Sequence, residues 1–139
     1  METKSTKIKE IQRNWHLIDV ENVVLGRIAV TISYLLRGKG KPYFVEHLDC
    51  GDYVVVVNAQ KVKVTGSKEL NKTYSSYSGY PGGLKVQTLA KVREKYPEKI
   101  VRHAVGGMLP KNKLRKQWLT RLYIYKDAKH PYGNKFNTK

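Results

Sequence analysis

The order strand, helix, strand across residues 15–57 predicts an α/β fold whose parallel sheet is covered by helices. Three observations carry this. Trp15-His16-Leu17-Ile18-Asp19-Val20 alternates as a strand does, the apolar residues from Leu25 onward recur at three and four, and Tyr53-Val54-Val55-Val56-Val57 is unbroken by any polar residue.

Each element has its own warrant. The first strand sets side chains on opposite faces, and Glu21-Asn22 begins a polar break after it. Leu25, Ile28, Ala29, Ile32, Leu35 and Leu36 form one stripe of an amphipathic helix, with Gly38 where the helix stops. The run at 53–57, β-branched apart from its Tyr, is too short for a stable helix and reads as a strand buried on both faces. Segment 60–65 alternates Lys61 and Lys63 with Val62 and Val64, and fits either a half-buried strand or a short helix. Residues 72–83, rich in Tyr, Ser and Gly, fit neither an ordinary helix nor a strand, and their Ser78-Gly79-Tyr80-Pro81-Gly82-Gly83 end reads as a tight loop.

Thr88 is placed to cap a helix marked by Leu89, Val92 and Tyr96, which Pro97 interrupts. Pro97 opens the next helix with Glu98 near the positive end of its dipole, and Ile100, Val101, Ala104, Val105, Met108 and Leu109 supply its apolar stripe. After Pro110, Leu114, Trp118 and Leu122 recur every fourth residue while Lys111, Lys113, Arg115, Lys116 and Arg121 point elsewhere, giving a basic amphipathic helix. Leu122 to Tyr125 reads as a last short strand. Trp15, Tyr34, Tyr53 and Trp118 are expected mostly in the core. With 139 residues the chain predicts one domain, flanked by an N-terminal extension at 1–13 and a polar C-terminal tail at 126–139.

Charge dominates the composition. Lys and Arg number 27 against 11 Asp and Glu, a net of +16, which is self-repelling unless a polyanion neutralises it. Residues 1–70 hold 11 basic and 8 acidic side chains, whereas residues 71–139 hold 16 and 3, so the second half is expected to make most of the contacts with that polyanion. No apolar run approaches the roughly 20 residues that span a bilayer. A single cysteine, Cys50, excludes an intrachain disulfide and a thiolate zinc cluster, and the N-terminus resembles neither a signal peptide nor a presequence. A soluble intracellular protein in a reducing compartment is expected.

Catalysis needs a constellation that this sequence does not offer. Gly38-Lys39-Gly40-Lys41 lacks the glycine spacing and the hydroxyl of a phosphate-cradling loop, and His16, His47, His103 and His130 lack metal-ligand spacing. Asp49 and Asp52 bracket Cys50-Gly51, which reads as a turn ahead of a buried strand. RNA binding suits the composition better. Lys and Arg neutralise phosphates, Arg grips them with two hydrogen bonds, and aromatic rings stack on unpaired bases. Tyr74, Tyr77 and Tyr80 are the aromatic candidates, with Lys72 and Arg121 among the cationic ones, and the glycine loop lets backbone approach a phosphate closely.

Several strings together carry a resemblance. Leu25-Gly26-Arg27, Leu36-Arg37-Gly38-Lys39, Gly51-Asp52-Tyr53-Val54-Val55-Val56-Val57-Asn58-Ala59, Thr65-Gly66, Ser78-Gly79-Tyr80-Pro81-Gly82-Gly83 and Met108-Leu109-Pro110-Lys111 resemble, in order and spacing, the bacterial-type L-thirteen family of large-subunit ribosomal proteins. The resemblance runs from about Trp15 to Pro131. It implies a three-layer α/β/α sandwich around a four-stranded, mostly parallel sheet with basic loops. It also implies a structural constituent of the ribosome, in the bacterial cytoplasm or an organelle of bacterial descent, that binds 23S-type rRNA beside neighbouring proteins and supports early subunit assembly. No catalysis, cofactor, metal, membrane or small-molecule substrate comes with it. The contacts it implies are Arg27, Arg37, Lys39, Lys41, the loop Ser78, Gly79, Tyr80, Gly82 and Gly83, and Lys111, Lys113 and Lys116.

This chain departs from that pattern at particular residues. Ser76 and Tyr77 stand where the family usually has a basic residue and His, so Tyr77 is expected to stack in place of a charged contact. Leu114-Arg115-Lys116 replaces a pattern that often has Gly before the Arg, and Arg115 adds charge expected to face phosphate. His130-Pro131 is retained.

Overall fold

The computed structural model describes residues 4–136. Three strands form a parallel sheet in the order β1 (Trp15–Asp19), β2 (Tyr53–Val57), β5 (Leu122–Ile124). Trp15 pairs with Tyr53 and Asp19 with Val57 along one edge of β2, and Val54 with Leu122 along the other. The central position of β2 explains its sequence. Val54, Val55 and Val56 are wholly buried because strands flank it on both sides and side chains cover both of its faces.

On one face Val20, Val54, Val56 and Leu122 meet a helical layer. The long helices are α1 (Leu25–Arg37) and α4 (Pro97–Met108), which bring Ala29, Ile32, Leu36, Ile100, Val101 and Val105 into the same core. Short helices α3 (Leu89–Lys95) and α5 (Leu114–Thr120) add Leu89, Val92 and Trp118. The predicted stripes face the core, except that Met108 at the end of α4 and Tyr96 after α3 are exposed. Gly38 closes α1 in the left-handed conformation at φ 75°, its N–H donating to the carbonyls of Tyr34 and Leu35. Thr88 holds the N-cap position of α3 without a side-chain cap, and Pro97 opens α4 as expected.

The opposite face is aromatic. Trp15 stacks on Tyr53 with centroids 4.4 Å apart and planes 9° from parallel, and Tyr123 lies 5.9 Å from Trp15. The tail folds back over them. Tyr132 sits 4.7 Å from Tyr123 and 5.1 Å from Trp15, and Phe136, in the single turn α6 (Gly133–Phe136), meets the Trp15 ring edge-on. The segment expected as a polar tail thus supplies the cover, and this rather than a second helical layer completes the sandwich among the described residues. Trp15 and Tyr53 belong to this aromatic ladder and not to the helix-side core, and Tyr34 faces outward.

Two further expectations are corrected. The sheet has three strands, not four, and 72–83 does contain a strand: β3 (Thr73–Tyr77) pairs antiparallel with β4 (Leu84–Thr88) as a separate hairpin. The hairpin is legible only through its pairing, because most of its side chains are exposed and no burial period marks it. Segment 60–65 resolves as a 3-10 turn, Ala59–Lys61, followed by a single parallel bridge between Val24 and Lys63. A four-residue helix, α2 (Lys68–Asn71), precedes the hairpin. Among the described residues no helix is long and apolar enough to cross a membrane.

One buried ion pair ties these parts together. Arg121, ahead of β5, makes a two-pronged contact with Asp49, donates to the Leu36 carbonyl at the end of α1 (3.1 Å), and reaches the Asp52 carbonyl ahead of β2 (3.3 Å). Its 7 % exposure removes it from any RNA surface, which corrects its assignment as an RNA contact. Asp52 in turn receives Lys41 at 2.6 Å, His16 at 2.8 Å and the Asn14 N–H at 3.0 Å. The Asp49-to-Asp52 segment, expected as a plain turn, is this junction. Burial pushes both carboxyls up, but Arg121 for Asp49 and Lys41 for Asp52 outweigh it and hold each below its ordinary value.

Two outcomes follow from the junction. Asp49→Ala strands a buried guanidinium and is expected to lower stability by about 3–5 kcal/mol in urea denaturation, with part of the loss recovered in Asp49→Ala/Arg121→Met. The depressed carboxyls bind protons less tightly folded than unfolded, so their contribution is complete well above an unfolded value of about 3.9 and is lost as pH falls through the lower folded values. The urea midpoint should therefore drop below about pH 4, and drop less in Asp49→Asn/Asp52→Asn.

Candidate nucleic-acid interface

The same geometry sorts the cations into those that hold the fold and those that face outward. Arg121 is committed to Asp49, and Lys41, with a side chain only 12 % exposed, to Asp52 and the Gln12 carbonyl. Arg93 grips Glu69 through two 2.9 Å hydrogen bonds and donates to the Gln60 and Val62 carbonyls, anchoring α2 to the chain after β2. Internal pairing of this kind occupies Asp49, Asp52 and Glu69. At the surface Lys61 pairs with Glu21 and Lys4 with Glu10, but Arg27, Lys39, Lys111, Lys113 and Lys116 have no carboxylate partner among the described residues.

Arg27 is exposed in the first turn of α1 and Lys39 in the loop after it, while Arg37 is half-buried in the helix's last turn. Lys111, Lys113 and Lys116 are exposed and Arg115 half-buried around the start of α5, where the Asn112 side chain accepts the Leu114 N–H at 3.1 Å and begins the helix. These groups sit on separate elements. No hydrogen bond, ion pair or ring contact joins them to one another among the described residues.

The hairpin presents a different surface. Its tip closes with the Gly83 N–H on the Tyr80 carbonyl (2.9 Å) and the Ser78 N–H on the Gly83 carbonyl (3.3 Å). Gly79 and Gly82 take positive φ of 87° and 74°, and a Cβ on Gly83 would lie 1.9 Å from the Ser78 hydroxyl oxygen. Glycine is therefore required for the shape of the turn. That shape exposes Tyr77 and Tyr80 at 66 % and 75 %, apolar surface a monomer would ordinarily bury.

Between the hairpin and α4 lies a cavity of about 520 Å³ lined by Tyr74, Ser76, Lys85, Gln87, Lys99, Arg102 and His103, with Val92 at its apolar side. Tyr74 is half-buried there, its ring meeting His103 edge-on at 5.2 Å, and the Lys72 ammonium lies 5.6 Å from the same ring. Burial pushes the Tyr74 phenol above its ordinary value. Lys85, Lys99, Arg102 and His103 were not among the predicted contacts. Lys99, Arg102 and His103 were nonetheless legible as the polar face opposite the α4 stripe, at spacing i, i+3, i+4; Lys85 required knowing that β4 pairs with β3.

This chemistry is that of phosphate and base contact: flexible ammonium groups, a guanidinium, exposed phenol rings and backbone free of side chains at the tip. Among the described residues no group of three or more His, Cys, Asp and Glu is arranged to hold a metal ion.

The chain is also similar to known proteins. A family model described as ribosomal protein L13 matches residues 13–131. The chain is 51 % identical over 133 residues to the large ribosomal subunit protein uL13 of Citrifermentans bemidjiense, covering 96 % of this chain and 94 % of that one. It is similar to the proteins of the same description from a Synechococcus species, at 49 % over 91 % of this chain and 84 % of that one, and from Prochlorococcus marinus, at 48 % over 94 % and 87 %.

The tip geometry generates a direct check. Gly83→Ala puts its methyl against the Ser78 side chain and 2.9 Å from the Tyr80 carbonyl oxygen, which cannot rotate away, and should cost about 1 kcal/mol locally, seen as faster amide exchange at Ser78 and Gly83 with the melting of the core little changed. Ser78→Gly in the same chain should restore part of the protection.

Proposed function

The chain belongs to the ribosomal protein L13 family, and we propose that its outward-facing cations and hairpin tip pack against large-subunit rRNA, bracing RNA segments during early assembly of the subunit. Membership makes it a structural constituent of the large ribosomal subunit and not an enzyme. It works on the ribosome in the bacterial cytoplasm, beside other large-subunit proteins, and residues 1–139 act as one domain.

A single observation supports the RNA reading most strongly. Residues 71–139 carry 16 basic and 3 acidic side chains, while the acids of the first half, Asp49 and Asp52 above all, are already neutralised inside the fold. The excess charge has no internal partner, and a polyphosphate backbone is the partner that removes the repulsion and releases counterions. In this reading Arg27, Arg37, Lys39, Lys72, Lys111, Lys113, Arg115 and Lys116 meet phosphates, Tyr77 and Tyr80 meet exposed bases, and the glycine backbone at Ser78, Gly79, Gly82 and Gly83 admits a close phosphate. Tyr74 contributes from within the groove, not from the tip. Arg121 and Lys41 serve indirectly by fixing the elements that carry the others.

Sedimentation of a cell lysate through sucrose at moderate and then high salt tests the assignment. Co-migration with large subunits that persists as salt rises is expected; accumulation at the top of the gradient would overturn it. Reversing Lys111, Lys113, Arg115 and Lys116 to Glu should weaken binding to purified large-subunit rRNA and flatten its salt dependence by roughly one unit of slope per lost phosphate contact. Unchanged affinity and slope would remove α5 from the interface.

A further inference from the structure

We infer that the groove between the β3–β4 hairpin and α4 receives one unstacked nucleotide of the bound RNA, its base among Tyr74, Val92 and His103 and its phosphate on Lys85, Lys99 and Arg102. The inference rests on the RNA-binding reading above and names what one part of that surface recognises.

The walls converge by construction. In the antiparallel ladder Tyr74 stands opposite Gln87 and Ser76 opposite Lys85, so these four side chains share one face of the hairpin. Lys99, Arg102 and His103 share one face of α4. The docked faces border an open groove of about 520 Å³, more than a phosphate ion needs and within the roughly 300–1,000 Å³ of sites that hold a small organic molecule.

Charge and polarity then select the occupant. Lys85, Lys99 and Arg102 line the cavity and no carboxylate does; Arg102 also donates to the Leu119 and Leu122 carbonyls (3.4 and 3.3 Å) and the Lys99 ammonium lies 4.4 Å from the Tyr96 ring centroid, contacts that steady both cations without neutralising them. An anion is favoured, but an inorganic one would make no use of Val92 or of the Tyr74 and His103 rings held edge-to-face beside it. A nucleotide uses both halves. Its base lies against the rings, as bases do on aromatic side chains in single-stranded RNA recognition, and its phosphate meets the cations. The Ser76 hydroxyl and the Gln87 amide have no hydrogen-bond partner among the described residues, and both are placed to read a base edge. A duplex keeps its bases stacked inside the helix and cannot lay a base face against the Tyr74 and His103 rings, so the site favours an unpaired residue.

Ultraviolet crosslinking of the full chain to protein-free large-subunit rRNA, followed by digestion and mass spectrometry, tests this. A nucleotide adduct on Tyr74 or His103 is expected. Lys85→Ser/Gln87→Leu should lose the adduct and about tenfold in affinity, as one stacked base and one phosphate predict. Lys99→Gln, which leaves both the hairpin and the Arg102 hydrogen bonds to the Leu119 and Leu122 carbonyls intact, guards against loss through misfolding and should weaken binding in the same direction. Native affinity without an adduct in the groove, together with unchanged binding by both variants, overturns the inference and leaves the RNA reading standing. Failure of the unaltered chain to bind the RNA removes both. Adenosine 5′-monophosphate binding the groove as tightly as the RNA does would assign it to a free nucleotide and overturn the inference as well.

Discussion

Arg121 and Asp49 stand 72 residues apart in sequence, and their buried pair fixes the relation between α1, β2 and β5. The guanidinium also takes the Leu36 and Asp52 carbonyls, so it terminates a helix and aligns a strand in the same set of bonds. A buried ion pair adds little net stability over a well-packed apolar substitute, since desolvation offsets most of the attraction. Its directional hydrogen bonds suit it to setting geometry. Gly51 belongs to the same constraint: a Cβ there would fall 1.6 Å from the Leu36 carbonyl oxygen and 2.6 Å from the Arg121 guanidinium. Cations and acids were consumed in building this junction, and the surface inherited the imbalance.

That imbalance links packing to function. The sheet buries one face under α1 and α4 and the other under its own C-terminal segment, leaving the β3–β4 hairpin outside the main sheet. A hairpin with Tyr77, Tyr80, Leu84 and Val86 exposed carries unused apolar surface, and its tip glycines give a backbone that can approach another molecule closely. The same hairpin, set against α4, makes the groove. A ribosomal protein gains from such an arrangement because its ligand is large and irregular, offering phosphate, loop and base to different parts of one surface.

Periodicity revealed the elements whose burial is one-sided or complete. The α1 stripe, the α4 stripe with Pro97 at its start, and the unbroken β2 run were all readable because each side chain's fate depends on its position in its own element. The hairpin was not, since Ser75, Ser76 and Lys85 alternate with nothing that is buried. The tail was missed for the opposite reason: Tyr132 and Phe136 are spaced by an irregular segment, and only the partner rings of Trp15 and Tyr123 show them to be cover. Arg121 misled because a basic residue beside a basic helix looks like surface.

By itself the sequence determined the α/β class, the lopsided charge, the lack of a catalytic or metal constellation and the family resemblance, because these follow from residue identity and near-neighbour spacing. Only the tertiary structure decided which cations face outward, that Lys41 and Arg121 are internal, and that Tyr74, Lys85, Lys99, Arg102 and His103 meet around one groove. The physical reason is that a charge's role depends on whether a carboxylate reaches it in three dimensions. Asp49 and Asp52 find their partners through contacts between residues 11 to 72 positions apart, which no local pattern encodes.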